Sequence, residues 1–363
     1  MSIITFLIIL FLLVLVHEFG HFIVAKKSGI RVDEFAIGFP PRLWGKKIGV
    51  TLYSLNVLPI GGFVKIYGEN PEQDSIDGPD SKRSLVNAKR HIQALVLVAG
   101  VTMNVLFAWF LFTVAIVMGL PAPAGYAGDK ELVNGRVAIL SVLPNTPAEI
   151  AGIKAGEKII SISNDGDVFS SSKVEDVQGY ISKSGGKNLV LTLEGAGKQR
   201  EVAIVPQVGL IEGRAGLGVS LGQVGTLKLP VHQAVYEAGK ITVYLFGAIT
   251  IGLFDLIKTA LMGNADLATI AGPVGIVGMV GEASNIGFAY LLGFAAMISV
   301  NLAVLNLLPF PALDGGRLLF VAIEAIIRRP IKPVIANTAN LVGFAILILL
   351  MIVVTYSDIM KLI

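Results

Sequence analysis

The feature that most constrains the fold of this chain is a set of long apolar stretches that carry almost no charge. Each is about as long as the roughly 20 residues that an α-helix needs to cross a bilayer core. They lie at residues 2–25, 92–119, 286–308 and 334–357. The composition agrees, because 54% of the residues are hydrophobic and only 15% are charged, against about 25% charged in a soluble domain. The sequence therefore predicts a polytopic α-helical membrane protein with four transmembrane helices.

Charge and cysteine content exclude several other classes of protein. The 29 Lys and Arg residues nearly balance the 26 Asp and Glu residues, so no basic surface indicates nucleic-acid binding. Cysteine is absent, which excludes a disulfide framework, a thiolate zinc site and a cysteine nucleophile. The alternative for residues 2–25 is a signal peptide. That would need a basic start and a small-residue cleavage site, whereas Lys26 and Lys27 follow this stretch.

Two polar segments interrupt the apolar pattern. Residues 26–92 hold 11 basic and 7 acidic residues, with strand-like runs at Val50–Leu55 and Gly62–Tyr67. Residues 120–230 hold 11 basic and 11 acidic residues and predict a separate polar insert. Within the insert, the pattern indicates two strands and one amphipathic helix, at Asn188–Leu193, Val202–Val205 and Val174–Lys183.

The distribution of positive charge predicts the orientation in the membrane. The basic segments 26–92 and 317–333 belong in the cytoplasm by the positive-inside rule, so the insert lies outside. Residues 231–262 are ambiguous, since the apolar run Ile241–Phe254 is short for a span. A crossing there would move 317–333 outside, so we expect 231–262 on or partly in the outer surface. The Gly-rich residues 263–285 suit bent or re-entrant backbone.

A metal-binding motif lies inside the first apolar stretch. His17-Glu18-Phe19-Gly20-His21 has the form H-E-x-x-H, which places both imidazoles on one helix face, where they can bind one Zn²⁺. Glu18 lies about 100° further round the helix and can act as general base on a water that the metal activates. The alternative is a satisfied polar cluster between helices. However, three ionisable side chains within a span are costly, which favours a functional site.

A zinc site with an open position needs a third protein ligand, and the best candidate is Asp314. This residue follows the third predicted span, in the segment Asn306–Arg317. With four spans the first and third run in the same direction, so His21 and Asp314 share a depth near the inner surface. Asp-Gly-Gly also suits a helix end or a turn, so that alternative stays open on the residues alone.

These motifs resemble the site-2 protease family of intramembrane zinc proteases, in particular its bacterial RseP-like members. The resemblance covers nearly the whole chain and rests on three segments: His17–His21, Asn306–Arg317 (N-x-x-P-x-x-x-L-D-G) and Pro59–Glu69. One departure is visible, because many members carry Gly-Pro-x-x-Asn in the second span and this chain has Gly100-Val-Thr-Met-Asn104. The missing proline puts a local kink in doubt more than the activity.

The resemblance implies a zinc metalloendopeptidase with one Zn²⁺ held by His17, His21 and Asp314, and with Glu18 as general base. It also implies substrate contacts from Asn306 and Pro309. Its expected substrates are single-span membrane proteins, such as anti-sigma factors and signal-peptide remnants, that an upstream site-1 protease has trimmed. The expected location is the bacterial inner membrane, with the active site near the cytoplasmic side.

The same resemblance implies a re-entrant β-hairpin over about residues 35–68. Strand addition at Gly61 and Gly62 could hold a substrate segment unwound, since a helix protects its own peptide bonds. The alternative is a plain cytoplasmic hairpin. The segment Gly272–Ile276 also matches the family, and we interpret it as structural packing. His91 and His232 are interpreted as ordinary solvated residues.

The insert resembles a PDZ domain with α+β structure. Its core signature is Val142–Ile160, and a carboxylate-binding turn follows at Gly216, Leu217, Gly218 and Val219, as in circularly permuted PDZ domains. The backbone N–H groups of this turn could capture a C-terminal carboxylate. The alternative is a domain that only excludes bulky substrates from the outer face of the protease.

The predicted domain order follows from these segments. Residues 1–119 and 286–363 form the two halves of the membrane domain, 120–225 the PDZ-like domain and 226–285 a surface and re-entrant segment. Two other functions compete with proteolysis. A non-catalytic scaffold would need only a structural metal site, which has no use for Glu18. A zinc transporter would need several metal sites along a path, and the spans show one cluster.

Overall fold

The computed structural model describes residues 2–69, 73–123, 132–164, 166–195, 198–211, 214–263, 271–329 and 331–361. The chain divides into two compact units. Unit 1, the helical unit, comprises Met1–Thr113 and Ala238–Ile363, and unit 2, the inserted unit, comprises Val114–Glu237.

Long apolar helices dominate the helical unit. The described helices of the chain, in order, are α1 Ser2–Lys27, α2 Gln73–Asp77, α3 Arg90–Met118, α4 Pro147–Ile150, α5 Val174–Lys183, α6 Val231–Leu261, α7 Pro273–Ile286, α8 Phe288–Leu307, α9 Asp314–Ile327 and α10 Pro333–Met360. Helices α1, α3, α8 and α10 cover the four predicted spans to within about three residues at each end. A short 3₁₀ helix, Ser81–Arg83, precedes α3.

The prediction of four spans is not confirmed. Five described helices are long and apolar enough to cross a membrane, and the fifth is α6. Residues 231–261 form one continuous helix. The prediction from the sequence had considered only the 14-residue apolar run Ile241–Phe254 as a possible span. The helix extends beyond that run because polar residues such as Glu237 and Asp255 are compatible with helical backbone. Length and composition leave the position of α6 relative to the membrane open.

A bent β-hairpin follows α1 where the re-entrant β segment was predicted. Strand β1 spans Val32–Ile48 and β2 spans Thr51–Ile66, and the two pair antiparallel with several register irregularities. Ala36 pairs with both Phe63 and Ser54, so the first part of β1 lies between the two ends of β2. A buried cluster attaches the hairpin to the neighbouring helices, and it consists of Ala25, Ile30, Val32, Val64, Ile66, Leu85 and Val96.

The inserted unit is built on a seven-stranded sheet. Its strand order is β3-β11-β4-β5-β7-β8, with β6 paired to β5, and β9 and β10 form a separate two-stranded sheet. The strands are β3 Leu120–Pro123, β4 Val133–Val142, β5 Lys158–Asn164, β6 Asp167–Phe169, β7 Leu189–Gly195, β8 Lys198–Ile204, β9 Gln207–Ile211, β10 Arg214–Gly216 and β11 Val219–Leu227. Helix α5 has the predicted bounds, and β7 and β8 contain nearly all of the two predicted strands.

The core of the inserted unit lies between its sheet and α5. Alternate residues Leu189, Leu191 and Leu193 of β7 are fully buried, and so is Val177 of α5. Period-two burial on a strand against one face of an amphipathic helix is the expected packing for a two-layer α+β unit. Gly152 and Gly156 have φ of +70° and +90°, a backbone conformation that favours glycine.

Candidate metal centre

Helix α1 presents His17 and His21 on one buried face, as the H-E-x-x-H spacing predicted. Their Nε2 atoms are 3.2 Å apart, and both side chains are buried. Gly20 lets α3 approach this face, since a Cβ at Gly20 would lie only 2.7 Å from Met103 Cγ. The small residue inside the motif therefore brings α3 against the two histidines.

Gly100 of α3 provides the space that the imidazole rings occupy. A Cβ at this position would lie 2.7 Å from His17 Cε1 and 2.8 Å from His21 Cε1, closer than van der Waals contact permits. Sequence reasoning noted Gly100 only as part of the Gly-x-x-x-Asn segment. The structure shows that the missing side chain is what makes room for the ligand pair.

Asp314 reaches the same point from the start of α9. Its Oδ2 atom lies 3.0 Å from His17 Nε2 and 3.2 Å from His21 Nε2. Oδ2 is buried and has no hydrogen-bond partner among the described residues. These three side chains are the one group of three or more His, Asp or Glu residues with converging ligand atoms in the described part of the chain.

The loop before Asp314 is held in a specific shape. Ala312 has φ +75°, which is uncommon for a residue with a side chain, and Asn340 of α10 accepts a hydrogen bond from its backbone N–H at 3.3 Å. Gly343 of α10 admits the loop, because a Cβ there would lie 2.7 Å from Pro311 Cβ. Helix α10 therefore positions the aspartate, and sequence reasoning had no signal for Asn340 or Gly343.

The three ligand atoms fit a divalent metal ion. Zinc binds imidazole nitrogen and carboxylate oxygen at about 2.0–2.2 Å in a tetrahedron, so its ligand atoms lie about 3.3 Å apart. The observed separations of 3.0, 3.2 and 3.2 Å are close to that value. The surroundings of Asp314 Oδ2 agree with a metal site, because this buried oxygen faces the two Nε2 atoms and a cation between the three atoms would compensate its charge.

Glu18 contacts the β-hairpin. Its Oε2 atom accepts a hydrogen bond of 3.0 Å from the backbone N–H of Val64 in β2. This contact holds the carboxylate next to the ligand pair without making it a ligand. The link between Glu18 and β2 was not visible in the sequence, because it joins a helix to a strand nearly fifty residues later.

Each imidazole also has a contact at its second nitrogen. His21 Nδ1 lies 2.8 Å from the carbonyl oxygen of Val96, and His17 Nδ1 lies 3.3 Å from Nδ2 of Asn104. Both partners belong to α3. Outer contacts of this kind orient metal-binding histidines and select their tautomer.

The predicted substrate-binding residues lie on two elements near the centre. Gly61 and Gly62 are part of β2. A Cβ at Gly61 would lie 3.0 Å from Val14 Cγ1 of α1, and a Cβ at Gly62 would lie 2.5 Å from the carbonyl oxygen of Ala36 in β1. Asn306 lies in the last turn of α8, half-buried, and Pro309 is exposed in the loop that leads to Asp314. Their roles stay predictions.

A cavity of about 440 Å³ borders the helix that carries Asp314. Its polar lining includes two ion pairs, Glu69 with Arg317 and Arg90 with Glu324, the latter at 2.5 Å. Arg317 lies one turn after Asp314 on α9. None of His17, Glu18, His21 and Asp314 lines the cavity, so it is a polar space beside α9 and not part of the metal centre.

The predicted carboxylate-binding turn lies in the inserted unit, directly before β11. Gly216, Leu217 and Gly218 are buried, and Val219 is partly exposed. The carbonyl oxygens of Leu217 and Gly218 accept hydrogen bonds from Ala148 and Leu143 at 3.0 and 2.9 Å. The part of β11 before Val224 pairs with β4 on one edge, and β3 covers the other edge only from Val224 onward. Peptide binding at this edge stays a prediction.

The Gly272–Ile276 segment starts α7 and packs against the end of α10. The N–H of Gly275 donates to Oδ2 of the buried Asp358 at 2.8 Å, so this carboxylate caps the helix. A Cβ at Gly272 would lie 2.8 Å from the same oxygen. These contacts agree with the interpretation of the segment as structural packing. Asp358 itself was missed, because its partner lies far away in the sequence.

Comparison with known proteins identifies the family. The model of peptidase family M50 matches residues 5–350 of this chain. The chain belongs to peptidase family M50. A putative zinc metalloprotease of Clostridium perfringens is 38% identical over 96% of this M50 chain and 95% of its own length. Zinc metalloprotease RasP of Geobacillus kaustophilus is 29% identical over 99% of this chain and 98% of its own length.

Two solved PDZ domains are similar to about a quarter of the chain. The PDZ domain of the SdrC-like protein of Listeria innocua is 26% identical to this M50 peptidase with a TM-score of 0.21, and covers 24% of this chain and 92% of its own. The corresponding domain from Listeria monocytogenes is 25% identical with a TM-score of 0.22, and covers 25% of this chain and 93% of its own.

Family membership and the site together confirm the central prediction. The M50 match spans almost the whole chain, and the H-E-x-x-H motif lies in an apolar helix with an aspartate beside it. This protein is an intramembrane zinc metalloprotease with several membrane-spanning helices.

Proposed function

We propose that this M50 peptidase hydrolyses peptide bonds within or near the transmembrane segments of single-span membrane proteins, with one Zn²⁺ held by His17, His21 and Asp314. The convergence of these three ligand atoms inside an apolar bundle supports the proposal most directly. The described residues contain one such group of converging metal-binding side chains, which favours a single ion over a two-metal site. Zinc at this site supplies a Lewis acid that polarises the scissile carbonyl and makes water acidic enough to attack near neutral pH.

Glu18 performs the proton transfers in this proposal. Its carboxylate takes a proton from the attacking water and delivers it to the leaving amine. The hydrogen bond from Val64 N–H holds Oε2 in place, so the carboxylate does not need to be ordered when substrate binds.

In our proposal, strand β2 binds the substrate segment in an extended conformation. A transmembrane helix hides its peptide bonds in internal hydrogen bonds, so it must unwind before hydrolysis. Gly61 carries no side chain beside Val14 of α1, and in this proposal a substrate segment adds to β2 at Gly61 and Gly62 as a further strand. Asn306 and Pro309 would contact the same segment from the end of α8.

The orientation and partners of the protease are part of the same proposal. The basic residues 26–92 and 317–333 support an orientation with the metal centre near the cytoplasmic side and the inserted unit outside. The PDZ-like unit would bind or exclude the outer part of a substrate. The substrates would be anti-sigma factors or signal-peptide remnants in the bacterial inner membrane, after cleavage by a site-1 protease.

The decisive experiment compares the wild type with Glu18→Gln in proteoliposomes, on a tagged single-span substrate trimmed close to the membrane. Zinc content is measured for both proteins. We expect the wild type to cut and Glu18→Gln to bind zinc equally while its rate falls by about 10²–10⁴-fold. If neither protein cuts any of several trimmed substrates, the scaffold hypothesis replaces the protease. Equal cleavage by both would show that Glu18 is not the base.

A further inference from the structure

Asn104 is a buried amide that contacts the metal centre without being a ligand. It lies on α3 one turn after Gly100 and is fully buried. Its Nδ2 is 3.3 Å from His17 Nδ1, and its backbone carbonyl accepts a 2.8 Å hydrogen bond from the equally buried Ser299 of α8. A primary amide inside an apolar bundle is costly unless its polar atoms have partners. Asn104 therefore calls for a specific explanation.

The tautomer of each histidine decides whether it can bind a metal through Nε2. A neutral imidazole carries one proton, and the nitrogen that binds metal is the one without it. His21 has this arrangement, because its Nδ1 faces the carbonyl oxygen of Val96, which can only accept. The proton of His21 consequently stays on Nδ1, and its Nε2 is free.

For His17, the corresponding choice depends on which end of the Asn104 amide faces Nδ1. If the NH₂ group faces it, Nδ1 accepts, and the proton of a neutral ring is forced onto Nε2, where it blocks a metal. If Oδ1 faces it, Nδ1 donates and Nε2 is free. The two orientations differ by a half-turn of the amide, and oxygen and nitrogen are assigned from the hydrogen-bond network.

The convergence of the three ligand atoms favours the second orientation. In either orientation one end of the Asn104 amide contacts His17 Nδ1, and the other end has no hydrogen-bond partner among the described residues. The number of hydrogen bonds is therefore the same for both. A half-turn that brings Oδ1 to His17 Nδ1 leaves His17 Nε2 free opposite Asp314, which is the arrangement that a metal ion needs.

We propose that Asn104 is a positioning residue whose carbonyl oxygen accepts the N–H of His17 Nδ1 and thereby holds His17 in the tautomer that binds zinc. The proposal rests on the ligand assignment made under Proposed function. The competing interpretation is that Asn104 only fills space between α1 and α3. Metal affinity separates the two, because a space-filling residue can be replaced by an apolar one of equal size without changing it.

The test measures the dissociation constant for Zn²⁺ in the full-length detergent-solubilised protein by competition with a chromophoric chelator. Asn104→Leu keeps the volume and removes the acceptor, while Asn104→Asp keeps an acceptor for the same N–H. Asn301→Leu is the matched control, since Asn301 donates to the carbonyl of Met297 on its own helix α8. We expect Asn104→Leu to weaken zinc binding by about 10–100-fold. Asn104→Asp and Asn301→Leu should stay within a few-fold of the wild type.

The absorption spectrum of the Co²⁺-loaded protein provides a second readout that does not depend on activity. We expect a changed spectrum for Asn104→Leu and a nearly unchanged one for Asn104→Asp. If Asn104→Leu does not fold, Asn104→Ala removes the same acceptor without adding volume. Wild-type affinity in the folded Asn104→Leu or Asn104→Ala variant, or equal loss in Asn104→Leu and Asn104→Asp, would overturn the proposal.

His17→Ala distinguishes the failure of this proposal from failure of the proposed function. If His17→Ala binds zinc as tightly as the wild type, the ligand assignment is wrong, and the Asn104 proposal is wrong with it. If His17→Ala loses zinc while Asn104→Leu keeps it, only the role of Asn104 is wrong.

Discussion

At the scale of single residues, the metal centre depends as much on missing side chains as on the ligands. The imidazoles of α1 occupy the space beside Gly100 on α3, and the loop before Asp314 packs where Gly343 has no side chain. The glycine of the H-E-x-x-H motif itself lets α3 approach. Protein interiors are close-packed, so one added methyl group at such a contact must displace a ring or a helix.

Gly100→Ala should therefore disrupt zinc binding. The new methyl group would lie closer than 3 Å to atoms of both histidines, so the rings must move and their Nε2 atoms can no longer converge with Asp314. We expect at least a tenfold weaker affinity for Zn²⁺, measured by chelator competition, and a matching loss of proteolysis. Gly252→Ala on α6 is the control, because a Cβ there meets nothing within 4 Å. Wild-type affinity in Gly100→Ala would contradict the packing argument.

At the scale of elements, the inserted unit carries a bidentate ion pair. Arg200 of β8 donates from Nε to Glu157 Oε1 at 2.8 Å and from Nη2 to Oε2 at 2.9 Å. The backbone N–H of Lys154 adds a third bond to Oε2 at 2.8 Å. The hydrogen bonds from Arg200 are the main cause of a lowered pKa of the Glu157 carboxyl. Burial opposes this effect by raising the pKa, and the hydrogen bond from Lys154 adds to the lowering. This carboxylate thus joins the turn before β5 to β8.

The lowered pKa predicts how the stability of the inserted unit depends on pH. A carboxyl whose pKa is lower in the folded state stabilises it fully above the unfolded pKa, near 4.5, and loses that contribution as pH falls through the folded pKa. At pH 7 we expect Glu157→Gln to lower the free energy of unfolding by about 1 kcal/mol, since Arg200 is half-exposed. Below pH 4.5 the difference between the two proteins should shrink.

Hydrogen exchange of β7 and β8 in the full chain measures this effect at each pH. The control is Glu201→Gln, which removes the same charge from an exposed position on β8. It should change exchange by much less at every pH. A pH-independent difference between Glu157→Gln and the wild type would show that packing, and not the ion pair, is responsible.

At the scale of the whole molecule, the metal centre constrains how many times the chain crosses the membrane. His21 lies near the end of α1 and Asp314 lies shortly after the end of α8, yet their side chains meet. If α1 and α8 both cross fully, the chain between them must cross an odd number of times. Helix α3 supplies one crossing, so α6 could cross only together with α7. The 14 residues of α7 span about 21 Å, short of the roughly 30 Å core.

We therefore expect four complete crossings, with the end of α6 on the same side as the inserted unit. Because the chain has no cysteine, single cysteines introduced at exposed sites report their side without background. In intact cells, a membrane-impermeant maleimide should label Ser172→Cys and Gly263→Cys, whereas Arg329→Cys should need permeabilisation. Labelling of Gly263→Cys only after permeabilisation would mean that α6 crosses, and that α7 must return the chain.

The sequence alone was enough to predict the properties that depend on neighbouring residues. The apolar length of each span, the shared face of His17 and His21 and the alternation in β7 depend on helix and strand periods, which neighbouring residues impose. Asp314 was predicted to meet the histidines, but other contacts between distant residues are visible only in the tertiary structure: Val64 with Glu18, Asn104 with His17, and Asp358 with Gly275. Those contacts depend on how closely α1, α3 and α10 approach their neighbours. Glycines that lie far apart in the chain allow this close packing. The number of spans depends on tertiary contacts too, because the 31 residues of α6 have the length to cross a bilayer, and it is the meeting of Asp314 with His21 that favours four crossings.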